Sequence, residues 1–202
     1  DFSYNQYGGY VYVNVTNGDA LDSNGSVNLA GGTLEVYAPS QGDGDPIDTE
    51  MGCTFGGATV LAVGHAMMQQ SYKAATPYVT FSGRTNLVTA GKTITIKDQS
   101  GNTLYTGTAV RAASYVLFSS SALSANSSYT LYNGSSSAAT AAATTNTSGS
   151  NNGGPGGNQS GNNGGSQSEN NGGSASGKTS VFQTIIEWFR MIINWFKNLF
   201  SF

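Results

Sequence analysis

Gly18-Asp19-Ala20-Leu21-Asp22 returns as Gly44-Asp45-Pro46-Ile47-Asp48, and Gly31-Gly32-Thr33-Leu34 returns as Gly57-Ala58-Thr59-Val60. Both recurrences keep one offset, 26 residues. A partial third copy precedes them, because Gly8-Gly9-Tyr10-Val11-Tyr12-Val13 matches Gly31-Gly32-Thr33-Leu34-Glu35-Val36 at an offset of 23. Repetition at a period of about 20–30 residues, with glycine at the corners of short alternating segments, marks a solenoid.

Working outward from these copies, Val11, Val13 and Val15 share their parity with Leu34, Val36 and Ala38, and with Val60, Ala62 and Gly64. Successive side chains of a strand point to opposite faces, so these residues are expected to stack as inward columns. The opposite parity carries Tyr10/Thr33/Thr59 and Tyr12/Glu35/Leu61, a mixed outer face. A second short strand follows the same logic, with Val27 and Leu29 over Cys53 and Phe55. Two or three strands per coil, stacked in parallel at about 4.8 Å, predict an all-β chain that opens with a parallel β-helix over residues 1–76.

That stacking has an electrostatic consequence. Asp19 would lie over Asp45 and Asp22 over Asp48, like charges about 5 Å apart. Each pair is unfavourable by roughly 1 kcal/mol in water and about 3–4 kcal/mol at an effective dielectric near 20. Asp43 and Glu50 lie close by in sequence, and no Lys or Arg precedes Lys73. A hard divalent cation with oxygen ligands, calcium above all, would compensate these charges. The candidate metal ligands are Asp19, Asp22, Asp43, Asp45 and Asp48. The alternative is a solvated acidic edge whose Asp and Asn residues make turns.

The run Gly18–Ser26, then Gly31-Gly32-Thr33, then Gly42-Asp43-Gly44-Asp45-Pro46-Ile47-Asp48 resembles the calcium-dependent carbohydrate-binding β-helix domains of clostridial cell-surface proteins. The resemblance covers roughly residues 8–134. It implies a right-handed parallel β-helix, calcium bound along the coils, and adhesion to plant cell-wall polysaccharides of the cellulose or acidic pectin class. It also implies an extracellular, cell-surface location. Tyr10, Tyr12 and Tyr37 are the candidates for stacking on pyranose rings, with Tyr4 and Tyr7 beside them.

Among 202 residues, 28 are Gly and only 9% are charged, so the chain is too polar to pack as one compact domain throughout. Its net charge of −3 argues against a nucleic-acid partner. The single cysteine, Cys53, falls on an inward column and is expected to be a buried small hydrophobe. His65, the one histidine, has no neighbouring cysteine or second histidine to share a metal and is expected in a turn. Patterned sequence starts at once after Asp1-Phe2, which is read as a solenoid missing earlier coils.

Residues 77–134 change period. Tyr78–Phe81, Thr93–Ile96, Thr103–Tyr105, Tyr115–Phe118 and Tyr129–Tyr132 are short alternating strands, with Gln99-Ser100-Gly101-Asn102 as a hairpin turn. They are expected to form a small antiparallel cap on the last coil, whose apolar columns and backbone would otherwise be open. An independent fibronectin-like module is the alternative, though some 55 residues make a thin sandwich. From 135 to 178 the sequence is almost all Ser, Gly, Asn, Ala and Thr, with one carboxylate (Glu169), one proline (Pro155) and no aromatic residue, which reads as a disordered linker. Residues 179–202 then carry Trp188, Phe189, Trp195 and Phe196 against one narrow polar stripe containing Glu187, Arg190 and Lys197. That is an amphipathic helix suited to a membrane surface or a partner protein rather than to a span.

No enzyme is expected. A lyase needs a Lys or Arg base beside calcium, which the repeated coils before residue 65 lack, and the carboxylate pairs a hydrolase would need are those the ion would occupy. The expectation is therefore calcium-dependent polysaccharide binding. A structural or adhesive surface solenoid without a sugar site, or a lyase or hydrolase remnant, stand as alternatives.

Overall fold

The computed structural model describes residues 2–42, 44–65 and 72–147. The expected helix at 179–202, Asp43, and the expected linker beyond residue 147 lie outside the described residues.

Strand β1, Tyr4–Asn14, pairs in parallel with β3, Val27–Tyr37. Past its double glycine β3 pairs in parallel with β6, Thr59–Gly64, and before it with β5, Cys53–Phe55. The registers follow the sequence repeat: Val11 lies opposite Leu34, Leu34 opposite Val60, and Val27 opposite Cys53. Two-residue strands β2, Asp22–Ser23, and β4, Asp48–Thr49, form a separate parallel pair, with Asp22 opposite Asp48.

The double glycines stack because nothing else fits. Gly32 has φ +80°, and a Cβ there would fall on the backbone of Gly8 and Gly9, while one on Gly31 would come 2.6 Å from the Tyr7 carbonyl oxygen. At this corner β3 switches parity, so Val27 and Leu29 before it and Leu34 and Val36 after it all enter one core, together with Ile47, Cys53, Phe55 and Val60.

The chain is all-β, but the right-handed parallel β-helix expected for residues 1–76 does not form. Its strands belong instead to a seven-stranded mixed sheet, beside a four-stranded antiparallel sheet and the β2–β4 pair. The stacking is interrupted at the next level. Strand β7, Tyr72–Ser82, continues in parallel on β5 through Tyr72–Ala74. Where its second half would meet β6, strand β10, Tyr115–Ser119, is inserted and runs antiparallel to both. A strand returning from later in the chain thus takes the hydrogen bonds a further coil would need.

A second difference lies on the outer face. The four-stranded sheet, in the order β12–β11–β8–β9, comprises β8 (Thr93–Asp98), β9 (Thr103–Thr108), β11 (Ser128–Asn133) and β12 (Ser136–Ala142). Its Ile94, Ile96, Tyr129 and Leu131 pack on Tyr37, Leu61, Val63, Phe81, Val116 and Phe118 of the larger sheet. What reads as an outer face is a second core there, and β6 and β10 are buried almost throughout. Of the five antiparallel strands expected as an end cap, those at Thr93–Ile96, Thr103–Tyr105 and Tyr129–Tyr132 cover a sheet face, whereas Tyr78–Phe81 and Tyr115–Phe118 belong to the larger sheet itself. Regular structure also continues past residue 135, where the linker was expected, through β12 and β13, Thr144–Asn146.

Candidate functional site

The cover stops short of β1. Strand β1 is the outermost of the larger sheet, and β9 is the outermost of the smaller one. Between these edges a patch of the outer face stays open. Its columns run across the strands: Tyr12 lies opposite Glu35, which lies opposite Leu61, and Asn14 lies opposite Tyr37, which lies opposite Val63. Each column starts in solvent and ends under the second sheet, since Tyr12 is 45% exposed and Leu61 1%. Tyr10 and Tyr7 are more open still, at 62% and 75%.

A carboxylate organises the patch. Tyr10 Oη donates to Glu35 Oε2 at 3.1 Å, and Tyr105 Oη, arriving from β9, donates to Glu35 Oε1 at 3.3 Å. The second of these bonds ties the larger sheet to the smaller across 70 residues of sequence. Tyr12 packs on Tyr37 with ring centroids 5.8 Å apart. Burial pushes the Tyr37 phenol up to about 12; its bond with Tyr105 offsets this in part, and the Glu35 charge adds to the rise. Tyr105 is raised further, by burial first and then by Tyr37 and Glu35. Tyr10 is raised by desolvation and by its bond to Glu35. All three therefore remain protonated donors at neutral pH.

At the end of the row Arg111 Nε donates to Asn14 Oδ1 at 2.6 Å. Arg111 also borders a cavity of about 370 Å³ formed by the Pro39–Gln41 loop and the Val110–Ala112 loop.

Of the expected stacking residues, Tyr10 and Tyr12 are exposed on one face. Tyr37 is corrected: only 2% of it is accessible, so it supports Tyr12 from below and offers no ring to a ligand. Its parity matched theirs, but its neighbour in the next strand is Val63, already under the second sheet. Tyr4 is half-buried and donates to Gln6 Oε1 at 3.1 Å. Glu35 and Tyr105 were not singled out beforehand. Glu35 was legible, since it shares the parity of Tyr10 and Tyr12, whereas nothing local points Tyr105 at it.

Among the described acidic residues, Asp19 meets Asp45 and Asp22 meets Asp48. Asp45 N–H donates to Asp19 Oδ1 at 2.7 Å, so one oxygen of that carboxylate caps backbone. Asp45 is 4% exposed, Asp22 is exposed, and Asp22 and Asp48 are directly opposed. Among the described residues no group of three or more His, Cys, Asp or Glu side chains is arranged to hold a metal ion. Cys53 is free and buried among apolar side chains, and burial pushes its thiol far up, away from reactivity.

Comparison of the chain with protein-family models, with curated proteins and with solved structures returns no match.

Proposed function

We propose that this chain binds polysaccharide at a cell surface, through the tyrosine-bearing end of the outer face, and does not catalyse a reaction. The observation that carries this reading is the row Tyr10 and Tyr12, exposed on one face, braced by Glu35 and flanked by Tyr7. Phenol rings offer an apolar surface with a polar tip and lose little side-chain entropy when covered, which suits a sugar ring with its apolar face and equatorial hydroxyls. The rings are held from below by Tyr37 and from the side by Glu35, so the surface is set before a ligand arrives. An extracellular location, and docking of residues 179–202 on a membrane surface or partner protein, belong to the same proposal.

The test is a pull-down on insoluble cellulose, run with calcium and with chelator. Retention of the wild type and its loss in Tyr10→Ala/Tyr12→Ala support the reading. Equal retention of both proteins removes the tyrosine face from it. The chelator arm decides the calcium expectation separately. Release by chelator, blunted in Asp22→Asn and Asp48→Asn, would assign an ion to that pair. Retention in chelator makes binding independent of metal.

A further inference from the structure

The polysaccharide reading leaves the charge of the ligand open, and the face itself bears on it. Glu35 sits in the column between Tyr12 and buried Leu61, beside the two rings offered to solvent. Both of its oxygens accept from phenols, which fixes the carboxylate in place without neutralising it. The residues before Lys73 contain eight carboxylates and no Lys or Arg, so the strands that build this face bring no compensating cation. Arg111 comes from outside them, and it is bonded beyond the last tyrosine, at Asn14. Asn14 lies two positions along β1 from Tyr12, about 7 Å at the usual strand rise, while Glu35 is paired with Tyr12 directly.

We propose that Glu35 sets ligand specificity, so that the tyrosine face accepts uncharged glycans and rejects polyuronates. This rests on the polysaccharide reading above and narrows it. A sugar ring lying on Tyr10 and Tyr12 brings its substituents within reach of Glu35. A hydroxyl there donates to the free lone pairs of the carboxylate. A uronate carboxylate has no proton to donate at neutral pH, and it places a second negative charge about 5 Å from the first. In water that repulsion is worth about a 4-fold loss of affinity per site, and more where water is excluded.

Isothermal titration calorimetry of the full chain tests this, with hydroxyethylcellulose and polygalacturonate as probes and chelator present throughout. Wild type is expected to favour the neutral polymer at low salt. Glu35→Gln, which keeps the shape and an acceptor oxygen, is expected to shrink the ratio of the two affinities by about 4-fold. A second readout needs no variant: raising salt to about 1 M, where the screening length is near 3 Å, should shrink the wild-type ratio likewise. Equal affinity of the wild type for both polymers overturns the role of Glu35 and leaves polysaccharide binding standing. So does a ratio that neither the variant nor salt changes. Heat from neither polymer overturns the polysaccharide reading and this inference with it. A dimer that Tyr10→Ala dissociates, with no heat from either polymer, overturns both and gives the face to a second copy of the chain.

Discussion

Glu35 and the tyrosines around it show how one side chain acquires a role from its neighbours across two sheets. Tyr10 gives up a bond to Glu35 and Tyr12 a ring contact with Tyr37, so replacing either with Ala should lower stability by about 0.5–1.5 kcal/mol and leave the fold intact. Thermal melts of the two variants check this, and a melt lowered by no more than that makes any loss of cellulose retention a loss of contact. The buried phenols should respond to alkali instead. Tyr37, Tyr72, Tyr105 and Tyr115 all have pKa values above the ordinary 10.0, with burial the first cause in each. A raised folded-state pKa means the stabilising contribution is fully present below pH 10 and is lost as pH rises through the folded value. Stability should therefore fall above about pH 10. Phenolate absorbance from these four rings should appear only above that pH and together with unfolding. A single smooth titration of every tyrosine near its ordinary value would contradict the packing of these rings.

At the scale of elements, the glycine corners and the parallel registers were legible in the sequence. An offset of 26 residues between Leu34 and Val60, or Asp22 and Asp48, can only be satisfied residue by residue if the segments lie side by side. Gly32→Ala tests the corner. The substitution strains a backbone at φ +80° and drives a methyl group into Gly8 and Gly9, for a cost of about 1–3 kcal/mol. A denaturant midpoint unchanged from wild type would show that the corner tolerates a side chain. The insertion of β10 was not legible. Tyr115–Ser119 alternates like any short strand, and nothing in its composition says that it lies between β6 and β7. That choice is made by long-range pairing, which a repeat cannot reveal. The same limit hid the meeting of Tyr105 with Glu35. It also made Tyr37 look like a ligand contact, because parity gives the face and not what covers it.

For the whole described part of the chain, stability rests on two cores sharing one sheet. Alternate residues of β10 serve them in turn, Leu117 on one side and Phe118 on the other. Removing Phe118 should be felt on the side where the two sheets meet. Phe118→Ala is expected to cost about 3–5 kcal/mol, read as a lowered denaturant midpoint. It should also loosen Tyr105, whose ring lies 5.8 Å from that of Phe118. Because Tyr105 holds Glu35, the variant should weaken ligand binding without touching an exposed residue.

The most direct measurement of the central claim is amide chemical-shift mapping of the isotope-labelled protein during titration with a soluble neutral cello-oligosaccharide. Saturable shifts concentrated at Tyr7–Asn14, Glu35 and Tyr105 are the predicted result. Shifts confined to the far side of the four-stranded sheet, or no shifts at any residue, would contradict it.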